Sequence, residues 1–384
     1  MKLLVVSAVA GLFFSLAGST PANTLKSDPG AGEKTERSIP VNPQLTVTLC
    51  VASGTLTVTG SNKNELRVRS SAKVIEFRRL DKARDPLAPA SRVDVMVFET
   101  ATSVKKVDCQ AVADVDMEVP AGASVLVQTR DGDVSITGVA AAYAGSQNGN
   151  IEIERATKLV EAGSVGGSIT LRDSSGRINL SSAGGVVEVS NVKAATSDDT
   201  FEVGTVSGDI QLNGISNPKV MAKTVNGTVT MIGPLIKSGH YTFTNMTGDV
   251  ILGLPHDASF QLNAKVSEKR DIVSDFVLKY LPETPQPTPA PAPKPGPAAA
   301  PGPMGVVSPV GPAGPVGPIT KKPAATVAKG HPPQKTGPII TTAPTERPAV
   351  VVRYVMRRVN AICGSGDATI SVASFGGTVR LKKL

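Results

Sequence analysis

Asp133, Asp209 and Asp249 each stand directly after a glycine, in surroundings that otherwise repeat. Carboxylates gathered on one face, or a carboxylate with a basic residue poised beside it, are what acid–base cleavage of a polysaccharide requires. The equivalent places between them hold Asn150, Ser168, Val186 and Thr228. Asp209 and Asp249 are therefore two repeats apart, about 10 Å if each repeat adds one inter-strand spacing. That separation, with the preference of Asp for tight turns, reads as turn chemistry and not as a catalytic pair.

Other reactive side chains are sparse. His240, His256 and His331 are isolated, the first two reading as turn residues and the third lying in a Pro-rich stretch. Cys50, Cys109 and Cys363 stand at no metal-ligand spacing, so no metal site is expected. An exported chain permits a disulfide among these three, and the pairing is left open between the three possible bridges. The calcium-binding nonapeptide, a phosphate loop and a nucleophile elbow are all missing; Gly163-Ser164-Val165-Gly166-Gly167 has suitable residue types but the context of a repeat corner. No catalytic residue, cofactor site or metal site is predicted.

The elements around these residues follow from a repeat. Gly132, Gly149, Gly167, Gly185, Gly208, Gly227 and Gly248 recur every 17 to 23 residues. Two and four residues after each come apolar pairs: Val134 and Ile136, Ile151 and Ile153, Ile169 and Leu171, Val187 and Val189, Ile210 and Leu212, Val229 and Met231, Val250 and Leu252. Seven and five residues before each glycine stand further apolar pairs, from Val125 and Val127 to Tyr241 and Phe243. Three before it stand Thr129, Ser146, Ser164, Ser182, Thr205, Thr224 and Asn245. The pattern is strand, polar corner, glycine, strand, turn. Glycine suits such a corner by tolerating positive φ and close backbone approach. Asn226-Gly227 and Ser207-Gly208 also suit hairpin turns. A small polar residue between two apolar columns in all seven repeats, however, favours a corner where like residues stack. The predicted fold is all-β, a β-solenoid of glycine-cornered rungs that only several stacked coils can stabilise.

The same register recurs beyond the seven. Val47, Leu49, Leu56 and Val58 surround Gly54, and Ile370, Val372, Val379 and Leu381 surround Gly377, so the last strand is expected to be a terminal rung. Leu66–Val68 and Val93–Val95 read as edge strands capping the N-terminal end. Phe260 to Leu278 reads as a degraded coil without its glycine.

Residues 1–22, with Lys2 before an apolar run and small residues to Ala22, read as a secretory signal peptide with no lipoprotein cysteine after it. Residues 23–40 read as a flexible tail, 41–280 as the solenoid, 281–349 as a disordered Pro-rich insertion, and 350–384 as strands completing the solenoid. No stretch of the mature chain reads as a membrane span. The net charge of +8 sits partly in the Pro-rich segment. Aromatics at 3% and the lack of any recognition motif argue against specific nucleic-acid binding.

Thr205-Val206-Ser207-Gly208-Asp209-Ile210, Thr224-Val225-Asn226-Gly227-Thr228-Val229 and Met246-Thr247-Gly248-Asp249-Val250 resemble a bacterial putative-adhesin family of β-strand repeats, a domain of unknown function. The entry Met117-Glu118-Val119-Pro120-Ala121-Gly122-Ala123 and the closing Ala373-Ser374-Phe375-Gly376-Gly377-Thr378-Val379-Arg380-Leu381 are similar to it as well. The resemblance covers residues 45–280 and 350–384. It implies a β-solenoid, secretion and a surface or envelope role, and supplies no catalytic residues. The long Pro-rich insertion departs from the usual pattern of that family.

These readings predict an exported, non-catalytic surface or envelope interaction protein whose partner is an envelope or surface protein or a glycan. Two alternatives remain at this level: an envelope structural or stress-sensing component, and a polysaccharide-active enzyme on a β-helix.

Overall fold

Short runs of alternating β-branched and polar residues, punctuated by glycine, fold as parallel strands because each run buries one face only. The computed structural model describes residues 34–81, 88–100, 109–282 and 356–384. The signal peptide, the first part of the expected tail, nearly all of the Pro-rich insertion and His331 lie outside them. Among the described residues 26 strands form one hydrogen-bonded network and there is no helix. No helix is therefore long and apolar enough to cross a membrane among those residues.

We name each coil by its corner glycine. The strand leading to the glycine joins an approach sheet, and the strand leaving it joins an exit sheet. In the approach sheet Val125, Ala142, Val160, Ile178, Phe201, Val220, Tyr241 and Ile370 are successive register partners. In the exit sheet Val134, Ile151, Ile169, Val187, Ile210, Val229, Val250 and Val379 are likewise partners. All pairings in these ladders are parallel, so the chain winds as a two-sheet solenoid. The inward side chains of both sheets form one continuous buried core.

Three expectations change at the ends. The strand Thr35–Val51 begins inside the segment expected to be a flexible tail. Its first six residues pair antiparallel with Glu65–Ser70, and Ile39 packs on the core. Its last six run between Ala90–Phe98 and Ser124–Thr129. The strand Ala90–Phe98, read as an edge cap, is thus an approach strand with the Gly54 coil against it.

At the other end the Gly377 coil is not terminal. Its approach strand Ala368–Ser374 lies between His240–Thr247 and Phe260–Ser267, and its exit strand Val379–Lys383 lies between Val250–Leu254 and Ile272–Ser274. The coil without a glycine closes the array instead, and Met356–Cys363 pairs antiparallel outside it. Stacking explains the order. Only a coil with glycine at its corner fits against Gly248, as the corner geometry shows next.

Candidate functional site

The corner glycines are required by close approach. A Cβ on Gly132, Gly149, Gly167, Gly185, Gly208, Gly227, Gly248 or Gly377 would fall under 3.0 Å from the carbonyl oxygen of the preceding corner glycine. Positive φ is not the shared cause: among these eight only Gly227 and Gly248 have it.

The polar residue three before the glycine locks the corner. Ser146 Oγ donates to the Gly132 carbonyl at 3.1 Å and accepts from the Gly149 amide at 2.8 Å. Ser164 and Ser182 repeat both bonds one and two coils further on. Thr205, Thr224 and Asn245 make the donor bond to Gly185, Gly208 and Gly227. These side chains are buried, and each satisfies backbone groups that the tight corner withdraws from water.

The aspartates after the glycines also serve the backbone. Asp133 Oδ1 accepts from the Asn150 amide at 2.7 Å, Asp209 Oδ1 from Thr228 at 2.7 Å, and Asp249 Oδ1 from Thr378 at 2.8 Å. Asn150 does the same for Ser168 at 3.0 Å. The column is a set of coil-to-coil amide caps, a more definite role than turn preference. Among the described residues no three His, Cys, Asp or Glu side chains come together as a metal-holding group. His240 opens a strand and is not a turn residue.

A second corner has no single residue type to mark it in the sequence. Six residues after the glycine, Gly138, Arg155, Asp173, Asn191, Gly214 and Gly233 all take positive φ. Three of the six are not glycine, so composition did not mark the column.

The surface feature best suited to a partner is on the outward face of the approach sheet. Three adjoining depressions of about 220, 370 and 290 Å³ share Gln128. They form one trough across six strands: Ala90–Phe98, Thr35–Val51, Ser124–Thr129, Ala141–Ser146, Leu159–Ser164 and Arg177–Ser182. Its length is about 24 Å at one inter-strand spacing per step. Gly145 and Gly163 make the floor, because four residues before the corner these two coils carry no side chain. Tyr143, Glu161 and Asn179 stand on one side and Gln147 on the other. The Cys50–Cys109 disulfide, with Cα atoms 5.1 Å apart, lines the N-terminal half and ties the Gly54 coil to the chain entering Val115–Pro120. Cys363 remains a free, buried thiol, and burial raises its pKa.

The trough offers amide, hydroxyl and backbone groups with one half-buried aromatic ring, and the charged side chains Arg78, Asp94, Arg130 and Glu161 are spaced along it. Its electrostatics are mild. Arg78 is paired with Asp94 at 2.7 Å, and Asp131 at the rim is held below the usual carboxylate range by the Arg130 guanidinium and the Asn148 amide. Glu161 and Glu202 are separated by Asn179 in the register, so the wall carries no close carboxylate pair. Gly-Ser at 145–146 and 163–164 was the available sequence signal for this floor.

The model of the Toastrack DUF4097 family matches residues 41–276. No curated protein matches the chain. Among solved structures, the chain is similar to a putative adhesin from Parabacteroides distasonis ATCC 8503, with TM-score 0.37 and 14% identity over 59% of this chain and 92% of that one. A putative adhesin from Parabacteroides merdae ATCC 43184 gives TM-score 0.33 and 11% identity over 59% and 91%. One from Bacteroides fragilis NCTC 9343 gives 0.30 and 13% over 58% and 90%. With well over half its length matched by the family model, the chain belongs to the Toastrack DUF4097 family.

Proposed function

We propose that the protein is exported and works at the bacterial surface or envelope as a non-catalytic interaction protein, contacting its partner through the trough on the approach sheet. The observation that carries this reading is the division of labour among polar groups. The aspartates of the repeat are spent on backbone amides. The trough keeps amide and hydroxyl groups, a tyrosine and a few scattered charges, Arg130 and Glu161 among them, facing outward over about six strands. Such a surface recognises an extended or flat partner by many weak contacts, and its wall carboxylate Glu161 stands between Tyr143 and Asn179 with no second carboxylate as register partner. The signal-peptide reading of residues 1–22 supplies the export. Fractionation of cells making the full chain tests it, together with envelope capture by wild type and by Gly145→Glu. Processed protein outside the cytoplasm and capture lost in the variant are expected. Cytoplasmic protein with an intact N-terminus, or polysaccharide hydrolysis by the purified protein, would overturn it.

A further inference from the structure

The C-terminal half of the approach sheet carries a second surface, outside the trough. Its strands lie in the order Lys219–Asn226, His240–Thr247, Ala368–Ser374, Phe260–Ser267, Met356–Cys363 and Lys279–Tyr280. Alternation with the buried columns turns every second residue outward. The register then sorts these outward residues into rows across the strands. One row holds Lys219, His240, Thr369, Gln261, Ile362 and Lys279. A second, four positions along each strand, holds Lys223, Thr244, Ala373, Lys265 and Arg358. Between them stand Met221, Thr242, Ser371, Asn263 and Asn360.

Charge on this face has one sign. Lys219, Lys223, Lys265, Lys279 and Arg358 are exposed, and the six strands contain no Asp or Glu. Asp257, Asp367 and Glu268 lie in the turns at the strand ends, and Glu202 lies one strand outside. Among the described residues none of the five cations forms an ion pair. Lys265 and Arg358 are direct cross-strand partners, with Cβ atoms about 5 Å apart, an arrangement that weakens a sheet. Elsewhere the strands match such charges: Arg67 and Arg69 with Glu36, Arg78 with Asp94, Arg172 with Glu152. Residues 283–355, the connection between the last two of these strands, contain seven Lys or Arg against two Glu and so bring no net negative charge. An external anion is what would complete this face.

The platform measures about 24 Å by about 13 Å, from five inter-strand steps and four residues of strand. Cations border both long sides. Hydroxyl and amide groups, Thr242, Ser371, Asn263 and Asn360, fill the middle at one per strand. Acid groups complement the borders, and sugar hydroxyls, each both donor and acceptor, complement the middle. A membrane surface would call for bulky apolar side chains among the cations, where this face sets polar ones. One polar group per inter-strand spacing suits a linear polymer lying across the strands.

We infer that this face binds a linear acidic polysaccharide, laid along the solenoid axis between the two basic rows. The site lies outside the trough, so its failure would leave the reading of the trough standing.

Titration calorimetry of the purified mature chain at low salt tests it, with polygalacturonate, neutral dextran and phosphatidylglycerol vesicles as probes. Binding to polygalacturonate alone is expected, weakening as added salt screens the charges. Lys265→Glu should weaken it at least about tenfold, the worth of one charge-assisted hydrogen bond. The same exchange turns a like-charge pair into an opposite one, so the thermal midpoint of the variant should rise. Lys223→Glu, three strands away, should weaken binding as well. Lys63→Glu, at an exposed position outside these strands, changes net charge equally and should bind as wild type does. No binding to polygalacturonate, equal binding to dextran, binding to the vesicles as tight or tighter, wild-type affinity in Lys265→Glu, or equal weakening by Lys63→Glu overturns the inference.

Discussion

Replacing Gly167 by alanine separates close approach from every other reason for a glycine. Its backbone is not in the positive-φ region, so the exchange carries no dihedral penalty. The new Cβ, however, would lie 3.0 Å or less from Gly149 O, Gly149 C and Asn150 N, none of which can swing aside. Relief requires the two coils to part at the corner. That strains the bond from Ser164 Oγ to the Gly149 carbonyl, 3.3 Å long, and the bond it accepts from the Gly167 amide, 2.9 Å long. Buried groups left unsatisfied cost about 1–3 kcal/mol each, and overpacking adds about 1–3 kcal/mol. The expected loss is about 3–5 kcal/mol. Gly204→Ala is the matched control, since its Cβ meets nothing nearer than Lys223 O at 4.0 Å. It should be neutral or gain about 0.4–1 kcal/mol through the less flexible unfolded chain, a term both variants share. Urea unfolding followed by far-ultraviolet circular dichroism gives both values; tryptophan fluorescence is ruled out because the chain has none. A Gly167→Ala protein within about 1 kcal/mol of Gly204→Ala would refute the stacking account of the repeat.

Arg155 holds φ of 52° at the second corner, where glycine serves in three other coils, so Arg155→Gly should raise stability by about 1 kcal/mol in the same urea titration. Cys50→Ser with Cys109→Ser opens a link spanning 59 residues, and the chain-entropy relation puts the loss at about 4 kcal/mol, read as a lower midpoint matching that of the reduced wild type. Acid should weaken the fold. Arg79 with the Ser91 amide lowers the Asp81 pKa, and Arg130 with Asn148 lowers that of Asp131; at Asp199 burial, which alone would raise it, is outweighed by Thr196 and the Ala195 amide. The unfolded chain therefore takes up more protons as pH falls. The stability these groups supply is full above the ordinary aspartate range and declines below about pH 4. Urea midpoints measured from pH 6 to pH 3 should show this, with a shallower decline in Asp199→Asn.

The inward columns were legible from residue type alone. Val160, Ile178 and Phe201 recur at the same distance before a glycine and become register partners, because a side chain that must be buried leaves little choice of register. The glycine column was equally legible, and close approach is what requires it, with positive φ at only Gly227 and Gly248 of the eight. The trough was not. Its floor at Gly145 and Gly163 faces outward, where nothing in the core constrains residue type, and its significance comes from the walls that neighbouring coils raise beside it. The left-handed corner escaped for a related reason. Arg155, Asp173 and Asn191 are held there by stacking on neighbouring coils, against the preference of at least the arginine.

The sequence alone determined that the chain is a stack of glycine-cornered coils, since burial and close approach act through residue type within each repeat. The order of the coils belonged to the tertiary structure. The Gly54 coil slides between Ala90–Phe98 and the Gly132 coil, and the Gly377 coil between Gly248 and the last turn. A coil's own corner glycine shows that it can lie close against the corner carbonyl of a neighbour. Which neighbour it takes depends on which part of a long chain can reach that place, and only the assembled fold decides that.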